Sequence, residues 1–321
     1  MTDEEAVGMT GYDAVVIGGG AAGLSGALML ARSRRSVLVV DAGEPRNAPA
    51  AGVHGLLGHD GRPPAELLAR GRDEVRRYGG QVEAGTVTSV SGTVDDFVVA
   101  LAGGRTIGAR RLLVTAGLVD ELPNVPGLAA RWGRDVLHCP YCHGWEVRDR
   151  AIGILGGHPR ALHQALLFRQ LSADVVLFAN GAPLLAAERL ELTAREIPVV
   201  EGAVEGLEIE DDRLTGVRLA GGTTVPRQAL AVATRMVARA GFLAGIGLRP
   251  VEHPLGAGEY LPADAFGRTD VAGVWAAGNV SDPMAQVGAA AAAGASAGAQ
   301  INADLVMAQT RAAVESLRAP V

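Results

Sequence analysis

An α/β fold built on dinucleotide-binding-type βαβ units is what this sequence predicts, and three segments predict it. Tyr12–Gly23 (YDAVVIGGGAAG) is a β-branched run ending in a glycine-rich turn. Ala151–Ala161 (AIGILGGHPRA) repeats that plan with altered chemistry. Val271–Asp282 (VAGVWAAGNVSD) leads a strand into a Gly-Asn turn ahead of a long alanine and glycine run.

In the first segment Tyr12–Gly18 reads as a buried parallel strand, a short apolar run closed by glycines. An Ala/Leu helix follows to about Arg32, then a strand over Ser36–Val40 that ends on Asp41. Gly18, Gly20 and Gly23 stand in the G-x-G-x-x-G spacing. Gly18 makes the tight turn, Gly20 lets backbone approach a pyrophosphate, and Gly23 lets helix and strand pack closely. The helix N-terminus then faces the phosphates, and Asp41 stands where an acid takes the ribose hydroxyls.

The second unit has a strand at Ala151–Leu155, a helix over Ala161–Leu171 and a strand at Asp174–Phe178. His158 replaces its second motif glycine, so a side chain stands where backbone should meet pyrophosphate. Pro159 has no N–H to offer. Ala179-Asn180-Gly181 brings no acid for a ribose, and no arginine for a 2′-phosphate comes before Arg189. The expectation is a retained fold with a degenerate nucleotide site. In the third segment Gly278, Asn279 and Gln286 precede a helix of small residues, which suits a ligand lying against a helix N-terminus.

The chain's 321 residues allow about two domains. Its net charge of −6 argues against a nucleic-acid partner, which needs a basic face. All 29 basic residues are arginine, which excludes Schiff-base or general-base chemistry by lysine. The uncharged run Pro283–Ala303 is too weakly hydrophobic to span a membrane, and Met1–Thr10 is acidic with no apolar core for export. The expected setting is the cytoplasm.

Only two cysteines occur, in Cys139-Pro140-Tyr141-Cys142. In such a chain a C-x-x-C pair points to redox or metal chemistry, and each thiol tunes the other's acidity. With no second ligand pair and only His138 and His143 nearby, no metal is expected. His143 is a candidate base for deprotonating a thiol, and His138 is a second. Tyr141 and Trp145 read as packing or a substrate wall. By itself the pair could make disulfides or break them.

Together the GGGAAG turn, Thr115-Ala116-Gly117, the central C-x-x-C, the second dinucleotide-type unit and VWAAGNVSD resemble the thioredoxin reductase-like flavoproteins over nearly the whole chain. The resemblance implies two Rossmann-like domains, the first discontinuous: 1–120 with 246–321 binding FAD, and 121–245 carrying the cysteines. It implies crossings near Val119–Pro126 and Arg239–Leu248, a homodimer, and Cys142 as the cysteine beside the flavin, with Cys139 making the exchange. For FAD it implies Gly18, Gly20, Ala22, Gly23, Asp41, Asn47, His54, Val87, Thr115, Ala116, Gly117, Gly278, Asn279, Gln286 and Val287. Asn279 stands where that family usually has Asp.

CPYCHGWE, with Asn47, His54-Gly55-Leu56 and Asp60-Gly61, is more similar to a subgroup, the FAD-dependent dithiol oxidases of gliotoxin and holomycin biosynthesis. That likeness implies an enzyme that closes an intramolecular disulfide in a small-molecule dithiol and hands the electrons through FAD to dioxygen. The alternatives are an NAD(P)H- or ferredoxin-dependent thioredoxin or disulfide reductase, and a flavin-bound redox sensor.

Overall fold

In the computed structural model, residues 11–318 are described; the reading of Met1–Thr10 lies outside them. The chain forms two compact units. The first takes residues up to Ala48, Pro64–Val119 and the chain from Met236 onward, and the second takes Pro49–Pro63 and Asp120–Arg235. Against the expected 121–245, the return crossing comes earlier in the chain, and the second unit also holds a loop from far upstream.

The first unit is built on a seven-stranded sheet. Strands Gln81–Ala84, Val37–Asp41, Gly11–Ile17 and Thr106–Val114 lie parallel in that order. The long strand Thr106–Val114 serves two further neighbours. Its last residues pair parallel with Val274–Ala276, and its first pair antiparallel with Asp96–Leu101, itself in a hairpin with Val87–Thr93. Side chains alternate across the sheet, as a period of two requires. Val15, Ile17, Leu38 and Val40 enter one core. Ala14, Val16, Val37 and Val39 enter the other, beneath helices Ala21–Arg32 and Val287–Arg318. Those two helices approach to backbone contact: a β-carbon on Gly294 would stand 1.9 Å from the Ala22 carbonyl oxygen.

The second unit centres on a five-stranded parallel sheet, ordered Val199–Val200, Val175–Phe178, Ile152–Leu155, Ala229–Ala231 and Val136–Leu137. Helix Ala161–Phe168 covers one face, packing Ala165 and Phe168 on Ile152, Ile154 and Leu177. An antiparallel sheet of Val204–Glu210, Arg213–Leu219 and Thr224–Pro226 covers the other, where Val204, Leu214 and Val217 meet Leu155, Val176 and Leu230. A buried ion pair helps hold that second layer. Asp135 accepts from Arg131 Nε (2.8 Å) and from the Leu214 N–H (2.9 Å), while Arg131 also reaches Asp212 at 2.6 Å. Among the described residues no helix is long and apolar enough to cross a membrane.

Candidate active site

Cys139 and Cys142 are joined as a disulfide in the second unit, their Cα atoms 5.2 Å apart. Pro140, whose missing N–H costs nothing at a helix start, opens the single turn Pro140–His143 with Cys139 as N-cap. One turn puts residues three apart on one side. The Cys142 N–H donates to Cys139 Sγ at 3.2 Å, a donor that favours the thiolate once the bridge opens. Tyr141 and Trp145 stand exposed, and the Arg148 guanidinium lies 4.2 Å from the Trp145 ring centre.

His143 ends the cysteine turn, and burial holds its imidazole below the ordinary histidine value. The Glu146 carboxylate, three residues on, pulls the other way, and His54 reinforces the depression. A ring kept neutral is ready to accept a proton from a thiol. His138 is tied down differently. Its Nδ1 lies 3.2 Å from the Val232 carbonyl, which can only accept, so the proton is assigned to Nδ1. The buried Gln164 then clamps the strand entering Cys139, its Nε2 donating to the His138 carbonyl at 2.8 Å.

His54 lies in the loop 49–63, which belongs to the second unit. Its Nε2 lies 3.4 Å from Glu146 Oε1 and its Nδ1 lies 3.5 Å from Asp60 Oδ2.

The altered second loop is closed by its own histidine. The Arg160 N–H donates to His158 Nδ1 at 3.2 Å, and His158 Nε2 donates to the Leu155 carbonyl at 3.0 Å. Both contacts fit one neutral tautomer, and burial pulls the ring's pKa down to about 4. The Ala161 N–H goes to the His158 carbonyl. With Pro159 contributing none, the N–H groups of residues 159–161 are all absent or engaged. Asn180 is likewise engaged, its Oδ1 accepting the Val204 N–H at 2.9 Å.

The first loop is open by contrast. Gly18 turns at φ +107°, where a β-carbon would stand 2.4 Å from the Thr115 carbonyl oxygen, so only glycine fits. The Thr115 hydroxyl lies 2.8 Å from the Gly18 carbonyl, and Asp41 Oδ1 accepts the Gly19 N–H at 3.1 Å. Gly20 caps helix Ala21–Arg32 with no side-chain cap, and a β-carbon there would meet nothing within 4 Å. Gly278 lies beside Ala22 of that helix. Asn279 donates its amide to the carbonyls of Ala285 (2.9 Å) and Asp282 (3.1 Å), with the Pro283 carbonyl at 3.4 Å.

Residues 12–297 match the family model for pyridine nucleotide-disulphide oxidoreductases. The chain belongs to that family. It is 31% identical to "Thioredoxin reductase tcpT" of Claviceps purpurea, over 83% of this chain and 86% of that protein. It is 31% identical to "Thioredoxin reductase sirT" of Leptosphaeria maculans, over 91% and 93%. Among solved structures, that of HlmI superposes with a TM-score of 0.90 at 47% identity, covering 95% of this chain and 96% of that one. The protein is thus a thioredoxin reductase-like flavoprotein of α/β, Rossmann-type fold, in a family whose members bind FAD.

The residues of this oxidoreductase fit that cofactor. The uncapped helix start and empty space before Gly20 form a cradle that any β-carbon would begin to fill. Thr115, Ala116, Gly117, Gly278 and Asn279 follow strands that lie side by side with the Gly18 strand or its partner. Gln286 and Val287 open the long helix that packs on Ala22. Val87 begins the outer hairpin strand and Asn47 lies in the turn after Asp41, both in this unit. His54 alone of the expected flavin set falls in the other. Glu146, Asp60 and Gln164 carry contacts to the histidines that motif reading did not assign. For Glu146 a signal existed, its spacing of three from His143.

Proposed function

We propose that this oxidoreductase is an FAD-dependent dithiol oxidase, closing an intramolecular disulfide in a small-molecule dithiol with dioxygen as the final acceptor. The observation that carries the reading is the His158 ring, which stands in the loop and takes up the Arg160 N–H, a donor of the kind a nicotinamide dinucleotide needs for its phosphates. Electrons then enter from the dithiol. The likeness to HlmI, tcpT and sirT supports the same reading.

A substrate thiolate attacks one sulfur of the Cys139–Cys142 bridge. That S–S bond breaks, a mixed disulfide forms, and the electron pair leaves on the other cysteine. The second substrate thiolate attacks the mixed disulfide, which releases the product disulfide and leaves both cysteines reduced. His143 takes a proton from a reacting thiol, and the Cys142 N–H steadies charge on Cys139 Sγ. His138, whose Nδ1 donates to the Val232 carbonyl, is the second candidate to take that proton. Bound FAD would supply the two-electron acceptor for the reduced cysteine pair and the route to dioxygen, which would leave as hydrogen peroxide. Gly18, Gly20, Ala22, Gly23, Asp41, Thr115, Ala116, Gly117, Gly278, Asn279, Gln286 and Val287 would hold it, with Asn47 and Val87 at its margin.

Steady-state stoichiometry tests this. With a small dithiol such as dithiothreitol in air, one disulfide and one peroxide should form per dioxygen consumed, and Cys142→Ser should abolish both while keeping FAD. Turnover that persists in Cys142→Ser would refute the route.

A further inference from the structure

The loop 49–63 places His54 in a row of charged groups that leads away from the redox pair. Val53 bridges Arg62 within the loop, and Gly133 sits so close to Pro49 that a β-carbon there would lie 2.5 Å from the proline Cβ. The loop is thereby fixed to the unit that carries the cysteines. Both ring nitrogens of His54 face carboxylate oxygens, Asp60 on one side and Glu146 on the other. Glu146 follows His143 by three residues, which places the two on one side of their turn. His54, between the two carboxylates, is the least exposed side chain of the row at 25%, against 43% for Glu146 and 71% for Asp60.

We propose that Asp60, His54 and Glu146 form a positioning row for the redox pair, with Glu146 as counter-charge to His143 and His54 tempering that counter-charge. When a cysteine of the reduced pair loses its proton, the Sγ–H bond breaks, the proton goes to the His143 imidazole and the sulfur is left as thiolate. The negative Glu146 stabilises the imidazolium that results. His54, set between Asp60 and Glu146, engages the Glu146 carboxylate and so weakens its hold on that imidazolium. Among the described residues, the charged groups acting on His143 are these two, one from its own segment and one from the loop. The idea rests on the reading of His143 as the base, and it makes opposite demands on two neighbours. Removing Glu146 makes the thiolate harder to form, whereas removing His54 makes it easier.

The test is the pH dependence of alkylation. The FAD-loaded protein, reduced anaerobically with dithiothreitol and freed of excess, is treated with iodoacetamide across neutral pH. Modification of Cys139 and Cys142 is read separately by mass spectrometry. Glu146→Gln should move the midpoint to higher pH by about 0.5–1 unit, Glu146→Asp by less, and His54→Gln to lower pH by a similar amount. Thermal melting identifies any variant that fails to fold. If Glu146→Gln is such a variant, His54→Gln still decides, because loss of a merely structural contact gives no acid shift. Shifts of the same sign in the two variants, or no shift in His54→Gln, overturn the proposal. His143→Gln separates the two levels. If it leaves the midpoint unmoved, the base reading and the row fail together. If it alone moves the midpoint, only the row fails. The measurement uses neither dioxygen nor nicotinamide, so a protein that proved to be a reductase would return the same shifts.

Discussion

The His158 ring accepts the N–H of Arg160, two residues further along its own loop, at 3.2 Å. On the function proposed above, this side chain stands in for a phosphate oxygen. A dinucleotide would have to displace this half-buried, doubly bonded ring before its own contacts began. NADPH titrated against the protein should show no saturation below about 1 mM. Protein-to-nicotinamide energy transfer or calorimetry would reveal it, and saturable micromolar binding would contradict this account of the loop.

The same ring makes stability depend on pH. His158 stays neutral in the fold down to about pH 4, whereas in the unfolded chain it takes a proton near 6.5. The unfolded state thus binds more protons between those values, and stability falls as pH drops through that window, by at most ~3 kcal/mol. A His158→Gln variant should show a flatter denaturant midpoint between pH 6.5 and 4 than the unaltered protein.

The surroundings of Asn279 call for an amide rather than a carboxylate. Its two amide hydrogens meet three carbonyls, those of Asp282, Pro283 and Ala285, which a carboxylate could only repel. Asn279→Asp should cost about 2 kcal/mol through the lost donors and release FAD faster. Thermal melting and flavin fluorescence in the filtrate measure both effects, and an unchanged melt would contradict the assignment.

Asp135 should matter to stability and leave the redox site alone. Its carboxylate is buried and receives both Arg131 and the Leu214 N–H. Asp135→Ala strands those donors and should lower unfolding free energy by about 3 kcal/mol, measured in urea. Hydrogen bonds from Arg134 and then Arg131 pull the neighbouring Asp212 down to about pKa 2. Its contribution is complete above the ordinary carboxylate range and is lost only as pH falls toward 2.

Much of this site was legible in the sequence because its chemistry is local. The turn at Gly18, the helix to Arg32 and the strand ending at Asp41 follow from glycine spacing and apolar runs, and they stand where expected. Boundaries set by side-chain contacts or turns were less legible. The helix expected through Leu171 ends at Phe168, and the strand expected at the start of Val271–Asp282 is confined to Val274–Ala276, with Gly273 turning at φ +82° just before it. The place of His54 was not legible at all. Its loop has no apolar period, and its partner Glu146 lies far along the chain, so only the tertiary fold brings them together.

The electron donor is the central question, and one anaerobic experiment addresses it. The yellow holoprotein is mixed with NADPH and, separately, with a small dithiol, while flavin absorbance is followed. The account predicts rapid bleaching by the dithiol, none by NADPH, and hydrogen peroxide when air is admitted. Rapid bleaching by NADPH alone would contradict it.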